Sequence, residues 1–275
     1  GVQTCALPIS AAFQTTTLTA VDDAGQTFSL VNFAKRPDLS DQIDYRILPE
    51  GFGYVLVRME LDLSNPGGYP TRILQKFQEA IASFVTAGVP GVIVDLRGNY
   101  GGSDRLAADM CGFFSTAPSF YEEQEYYDKR TGRFLRYTVD ERSSEPFVNN
   151  ISITPQTPYF GGPVVVLVNP GTISSGEGPA MGIQRLPQGR VIGFHGTNGS
   201  FGMVGGGIVM PGGYSIGYPY GRSVDKNGVV QLDSKNGIGG VAPNPRVPKT
   251  LENVLAYAAG VDVELQYAVR YLRGF

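Results

Sequence analysis

The sequence is poor in the residues that build metal sites and disulfide frameworks: its 275 residues include no tryptophan, one histidine and two cysteines. The single histidine, His195, excludes a zinc site of clustered histidines and cysteines. Cys5 and Cys111 permit one disulfide but do not argue for one. No apolar run approaches the roughly 20 residues of a membrane span. The 22 basic and 25 acidic residues nearly balance, so no basic footprint for nucleic acid or a membrane surface is present.

The first ten residues, GVQTCALPIS, lack the basic start and long apolar stretch of a signal peptide. They resemble the translation of a sequencing-library adapter, so we interpret residues 1–10 as an assembly scar and exclude them from fold reasoning. Under this interpretation Cys5 is not native and the natural chain begins further upstream. The alternative is a natural, disordered N-terminus.

The remaining chain is long enough for one large domain, and 42% hydrophobic residues can fill its core. Residues 71–87 carry apolar side chains at three- and four-residue intervals, which predicts an amphipathic helix. Gly88 ends this helix and Pro90 prevents its continuation. The run GVIVDLR follows and is typical of a strand buried on both faces. A helix followed by a buried strand predicts an α/β domain.

Shorter patterns predict the other elements. We expect strands within 15–33, 52–61 and 163–169 and a further strand at RVIG. We expect helices over 104–114, 175–186, 250–259 and 262–272. Residues 121–150 are expected to form an exposed hairpin or flap, and residues 196–240 are expected to alternate short strands with turns. Thr250 and Asp262 are predicted N-caps.

The loop DLRGNYGG, residues 95–102, follows the first buried strand and leads into a helix. In α/β sheets, sites form beyond the carboxyl ends of strands. Gly101 and Gly102 can turn backbone N–H groups toward a ligand, where two donors would hold a developing oxyanion. A tight glycine turn is the structural alternative.

The second loop, NPGTISSGEGPAMG, follows the strand PVVVLVN and opens a helix. A serine there lies at the positive end of the helix dipole, beside unpaired N–H groups, which favours an alkoxide and an oxyanion. The alternative is a capping box, with Ser174 or Ser175 as the N-cap and Glu177 as the N3 partner of Ser174.

Four ordered motifs, DLRGNYGG, PVVVLVNPGTISSGE, GRVIGFHGTNGSFG and GIGGVAPNPRVP, together resemble those of the C-terminal-processing (tail-specific) serine peptidases over residues 45–275. The resemblance implies an α/β fold with a crotonase/Clp-protease-like core, a mixed sheet spiral with flanking helices. It divides the chain into a catalytic core at 37–275 and, at 11–36, a remnant of the PDZ-like module that precedes this core in the family.

The resemblance also assigns roles by position. Ser174 falls on the nucleophile, Ser175 on the residue whose N–H is one oxyanion donor, and Gly101 and Gly102 on the pair that supplies the other, with Gly101 slightly better placed. The chemistry implied is peptide hydrolysis through an acyl-enzyme, without a metal or an organic cofactor.

This chain departs from the family pattern at the position of the general base. Many members carry a lysine where this chain has Ser200, and a serine hydroxyl cannot accept a proton unaided because its pKa is far too high. Lys226 and Lys235 lie in predicted turns. His195 has a suitable pKa but a position that the family does not use. In a tricorn-like branch of the family, an acidic residue near the closing motif, usually Glu, orients the catalytic residues. Asp233 is the nearest match to it, although it also fits a turn aspartate.

A tricorn-like branch of the family uses a histidine located ahead of the PDZ module, which would lie upstream of residue 1. The missing lysine and the interpretation of residues 1–10 therefore fit one hypothesis, in which the base is an upstream histidine and this chain is inactive or nearly so.

Three functions follow: a serine endopeptidase acting on unfolded or C-terminal segments, a catalytically inactive peptide-binding relative, and an acyl-CoA enzyme of the crotonase type. The last has no nucleophilic serine at the helix start, and fold alone does not separate the three. The expected partner is a polypeptide substrate and not nucleic acid, and a homo-oligomer is compatible with the sequence. Localisation stays open, although export is common in the family.

Overall fold

A computed structural model describes residues 18–21, 27–30, 42–65, 68–138, 147–148, 150–234 and 239–274. Strands β1 (Leu18–Val21) and β2 (Thr27–Leu30) pair antiparallel, which confirms the two strands expected within 15–33. Residues 1–10 lie outside the described part, so the scar interpretation stays a prediction. The PDZ-like origin of residues 11–36 likewise stays a prediction.

The central sheet has the strand order β12-β11-β5-β4-β3. Its strands are β3 (Ile43–Ile47), β4 (Gly53–Val57), β5 (Val92–Asp95), β11 (Val164–Leu167) and β12 (Gly189–Ile192). All neighbours pair parallel except β3, which closes one edge antiparallel. Every residue of β5 and β11 is buried, as the continuous apolar runs predicted.

Successive residues of β5 and β11 supply two different hydrophobic clusters because side chains alternate across a sheet. Val92 and Val94 pack with three helices: α1 (Thr71–Ala87), α2 (Asp104–Gly112) and α3 (Glu177–Gln184). Ile93 packs on the other face against α5 (Val263–Arg273). Helices therefore cover both faces of the sheet, as an α/β domain requires.

The predicted helix boundaries agree closely with the structure. Helix α1 ends at Gly88, whose φ of 64° is the left-handed conformation that favours glycine. Thr250 and Asp262 are the N-caps of α4 (Leu251–Ala258) and α5, each accepting a hydrogen bond from a backbone N–H three residues on. Within the described residues, no helix has the length and apolar character needed to cross a membrane.

A second, antiparallel sheet corrects two sequence expectations. Its order is β10-β6-β14-β13, and the short β7 also pairs with β6. The members are β6 (Ser119–Asp128), β7 (Arg133–Leu135), β10 (Asn150–Ile153), β13 (Gly202–Val209) and β14 (Ser215–Val224), and a separate short pair joins β8 (Tyr137–Thr138) to β9 (Phe147–Val148).

Residues 121–150 are therefore not simply an exposed hairpin or flap, because β6 is an inner strand between β10 and β14 that buries Tyr121, Glu122 and Gln124. Residues 196–240 contain two long strands, not only short ones. Their many glycines obscured the alternation that identifies a strand. The two strands are stabilised instead by the pairing of β14 with β6 and of β13 with β14.

Arg97 joins the first predicted site loop to the C-terminal helix. Its guanidinium contacts Asp95 at 2.6 Å, Asp262 at 2.6 Å and Glu264 at 3.2 Å. Asp95 also accepts a hydrogen bond from the hydroxyl of Tyr54, and Glu264 accepts one from the N–H of Phe194. The buried carboxylates of Asp95 and Glu264 therefore depend on one cation for their charge compensation.

We predict that Arg97→Ala lowers the free energy of unfolding by about 3–5 kcal/mol, because it leaves buried carboxylates without their cation. Urea denaturation measures this change. The matched control is Arg130→Ala, which removes an 86% exposed partner of Asp128 and should change stability by at most about 1 kcal/mol. Equal effects of the two variants would contradict the assigned role of Arg97.

Candidate active site

Parallel pairing of β5 with β11 brings the two glycine-rich loops together, because Asp95 and Leu167 lie opposite each other at the carboxyl ends of their strands. The backbone N–H of Leu96 donates to Leu167 O at 2.9 Å, and that of Ile173 donates to Asn99 O at 3.0 Å. The two loops thus form one hydrogen-bonded unit at an edge where α/β sheets place their sites.

Ser174 begins a short 3₁₀ helix, Ser174–Gly176, that continues into α3. Its φ of 54° is the only positive value for a non-glycine residue among the described ones. Such a conformation costs free energy and persists only where the surroundings enforce it. Ser174 is half-buried, whereas Ser175 and Glu177 are buried, and no described residue hydrogen-bonds Ser174 Oγ.

Gly101 lies directly against the serine loop. A Cβ at Gly101 would come within 2.7 Å of Ser174 Cβ and 2.9 Å of Ser175 N, and the φ of 82° also favours glycine. The Gly101 N–H donates to Asn99 Oδ1 at 2.7 Å, so its one donor is already used. Gly102 is exposed, and no described residue accepts a hydrogen bond from the N–H of Gly102 or Ser175. Of the two glycines, this geometry favours Gly102 as an oxyanion donor over Gly101.

The capping box, the structural alternative for this loop, does not form. Neither the 3₁₀ helix nor α3 has a side-chain cap, and Ser175 Oγ instead donates to Gly102 O at 2.8 Å. The fully buried carboxylate of Glu177 accepts from Thr197 Oγ1 at 2.6 Å and from the N–H groups of Gly199 and Ser200 at 2.7 Å each. Glu177 therefore fixes residues 197–200 beside the serine loop.

The candidate supporting residues named from the sequence are dispersed. Ser200 contacts Glu177 through its N–H and, at 3.4 Å, its hydroxyl. Exposed His195 instead lines a cavity of about 320 Å³ with Pro170, Tyr257 and other residues. Asp233 pairs with Gly239 in an isolated bridge.

Lys226 lies in an exposed turn and Lys235 lies outside the described residues. None of these candidates that the structure describes hydrogen-bonds Ser174.

Sequence reasoning missed three acidic residues near these loops: Glu60, Asp104 and Glu122. Burial raises the pKa of Glu60 to about 8, although Asn99 donates to it, and burial raises the pKa of Asp104 to about 6. Burial raises the pKa of Glu122 well above its ordinary value, with the nearby Asp104 charge adding to the effect. A sequence holds no signal for these shifts because burial depends on which elements pack together. Among the described residues, no cluster of histidine, cysteine, aspartate or glutamate could hold a metal ion.

A strained serine at a helix start, followed by a backbone N–H without an acceptor among the described residues, is compatible with acyl-transfer chemistry. The chain belongs to peptidase family S41, whose family model matches residues 61–247. This confirms the resemblance read from the motifs. No curated protein sequence matches the chain significantly.

Solved structures agree with this fold assignment. A candidate peptidase from Parabacteroides merdae is 21% identical with a TM-score of 0.62, over 84% of this chain and 64% of that one. A photosystem II D1 C-terminal processing protease is 18% identical with a TM-score of 0.53, over 82% and 54%. A candidate S41 protease from Bacteroides fragilis is 15% identical with a TM-score of 0.58, over 94% and 65%. The chain thus has the Clp-protease-like core and spans just over half to two thirds of these proteins.

We predict that Glu177→Gln lowers the free energy of unfolding by about 1.5–3 kcal/mol. Backbone N–H groups donate to both Glu177 oxygens, so a glutamine NH₂ group faces a donor in either orientation. Urea denaturation against Glu79→Gln, at a 58% exposed side chain, provides the comparison. A Glu177→Gln protein as stable as its parent would refute this account of the carboxylate.

We also predict that Glu60 makes stability fall as pH rises from about 4.5 to about 8. Its folded-state pKa is raised above the ordinary 4.5, so over this window the folded state binds the proton and the unfolded state releases it. The contribution is at most about 1.4 kcal/mol per pH unit. Glu60→Gln should flatten the dependence in urea denaturation across this range, whereas Glu79→Gln should not. If the unfolding free energy of Glu60→Gln depends on pH as steeply as that of the parent, Glu60 is ionised in the folded state.

Proposed function

We propose that the protein is a serine endopeptidase that hydrolyses peptide bonds through an acyl-enzyme. Ser174 is the nucleophile, and the backbone N–H groups of Gly102 and Ser175 bind the oxyanion. The observation that carries the proposal is the strained, half-buried Ser174 placed beside two N–H groups that have no acceptor among the described residues.

The reaction assigns a defined change to each group. Ser174 Oγ bonds to the carbonyl carbon of the substrate while a base takes its proton, and the carbonyl oxygen becomes the oxyanion. The C–N bond then breaks as the amine receives that proton. Water repeats the sequence on the ester, and transition-state charge is stabilised by donors that are already oriented.

The base is the part of this mechanism that the described residues do not supply. Ser174 Oγ has no hydrogen-bond partner among them, and the hydroxyl of Ser200 is too weak a base. We propose that a histidine from a longer form of the protein, upstream of residue 1, accepts the proton. The 275-residue chain then turns over slowly, because an oxyanion site without its base retains only part of the catalysis.

Unfolded or C-terminal polypeptide segments are the proposed substrates. The S41 family match and the similarity to a D1 C-terminal processing protease support this class. Membership of a peptidase family argues against the acyl-CoA alternative.

An inactive peptide-binding relative is the second candidate function. It is favoured by the serine at position 200 and by the absence of a partner for Ser174 Oγ in the described structure. A binder would, however, have no use for a strained serine near N–H groups that lack an acceptor among the described residues.

We predict that the longer gene product cleaves an unfolded protein and is labelled by a fluorophosphonate at Ser174. Ser174→Ala should do neither, and the 275-residue chain should label far more slowly. Time-resolved gel and mass-spectrometric assays measure both rates. Ser64→Ala, a substitution near Asp62, is the matched control and should retain labelling. A longer protein that neither cleaves nor labels would favour the peptide-binding alternative.

A further inference from the structure

Two carboxyl groups lie directly behind the proposed oxyanion site. Asp104 begins α2 and is half-buried, while Glu122 of β6 is fully buried. A single amide, Gln124 Nε2, donates to Glu122 Oε1 at 2.7 Å and to Asp104 Oδ2 at 3.0 Å. The two carboxyl groups are also within hydrogen-bonding reach of each other. We name Asp104 and Glu122 the carboxyl pair.

The contacts of the carboxyl pair indicate that it holds a proton. The buried Glu122 Oε2 has no hydrogen-bond partner among the described residues. Two buried carboxylates in contact repel each other, whereas one proton turns repulsion into a hydrogen bond. A protonated Glu122 Oε2 would donate to Asp104 and satisfy the unpaired atom.

The charged groups around the carboxyl pair do not remove the need for this proton. Arg185 is the nearby cation, but it donates hydrogen bonds to the carbonyl oxygens of Phe120 and Tyr121 and to Gln231. Tyr121 and Cys111 face the same region, and burial raises the pKa of both. Burial also raises the pKa of Glu60 to about 8. Ser223 of β14 lies within reach of Glu122 and lowers the pKa of that carboxyl slightly against the effect of burial.

Ser175 connects the carboxyl pair to the oxyanion site. Its hydroxyl donates to Gly102 O at 2.8 Å and also lies within hydrogen-bonding reach of Asp104. One side chain thus joins the pair to both residues whose N–H groups are the proposed oxyanion donors. A neutral Glu122 also keeps a second negative charge away from the place where the oxyanion forms.

We propose that Asp104 and Glu122 share one proton at neutral pH and act together as positioning residues that hold Ser175 and Gly102 in oxyanion-binding geometry. This proposal rests on the proposed function, because the geometry matters only if an oxyanion forms there. Glu122 supplies the proton, and Asp104 carries the pair's single negative charge and orients Ser175.

The shared proton can be tested without any activity. Infrared spectra of the 275-residue chain near pH 7 should contain carboxylic-acid C=O absorption that is reduced in Glu122→Gln. Lowering the pH to about 6 should add absorption in the parent, because burial raises the pKa of Asp104 to about 6, and this increase should be smaller in Asp104→Asn. Spectra in which Glu122→Gln matches its parent near pH 7 would overturn the shared proton.

The positioning role is tested in the longer, active protein by measuring kcat and KM on a peptide substrate. Glu122→Gln should keep kcat within about three-fold, because the amide still donates to Asp104. Asp104→Asn should lower kcat by about ten-fold with KM nearly unchanged, less than the loss of a whole oxyanion donor. If Asp104→Asn leaves kcat unchanged, even while it lowers thermal stability, the carboxyl pair has only a structural role.

The two measurements separate the possible failures. If the parent cleaves no substrate but its infrared spectrum shows the Glu122 proton, the proposed function is wrong and the positioning role fails with it, while the shared proton stands. If the parent cleaves and the Glu122 proton is absent, the proposed function stands and the carboxyl pair is refuted.

Discussion

The candidate site depends on the parallel pairing of β5 with β11. Asp95 and Leu167 end these strands at the same level of the sheet, so the loops that follow have to meet. Buried residues along both strands fix their register, because a shift by one residue would exchange the side chains of the two hydrophobic clusters. Arg97 then joins the first loop to α5 through Asp262 and Glu264. The sheet core and the site loops are therefore stabilised by the same contacts.

Glu177 has a different role from the one its spacing indicates. In sequence it stands three residues after Ser174, as in a capping box, but its carboxylate binds residues 197–200 from the following loop. Three hydrogen bonds to one buried charge compensate its desolvation more fully than a single N-cap contact would. The start of the 3₁₀ helix is consequently left without a side-chain cap, and the N–H of Ser175 has no acceptor among the described residues.

Buried acids make the surroundings of Ser175 chemically unusual. Glu60, Asp104 and Glu122 come from three separate segments, and burial raises the pKa of each. If all three were ionised, their charges would oppose an oxyanion formed nearby. Carboxyl groups that retain their protons reduce this electrostatic repulsion, and the protons give hydrogen bonds to oxygens that otherwise lack partners. The proposed oxyanion chemistry and the free-energy cost of burying a charge therefore both favour protonated carboxyl groups.

The sequence by itself determined the local elements and the family. The periodicity of residues 71–87, the stop at Gly88 and the caps at Thr250 and Asp262 depend on neighbours along the chain, so they were predicted correctly. The order of the family motifs along the chain identified Ser174, Gly101 and Gly102 as candidate site residues. Only the tertiary structure decided that Gly101 donates to Asn99, that β6 is an inner strand, and that Glu177 binds residues 197–200. These outcomes depend on contacts between residues distant in sequence, and burial and hydrogen-bond partners arise only when those segments pack together.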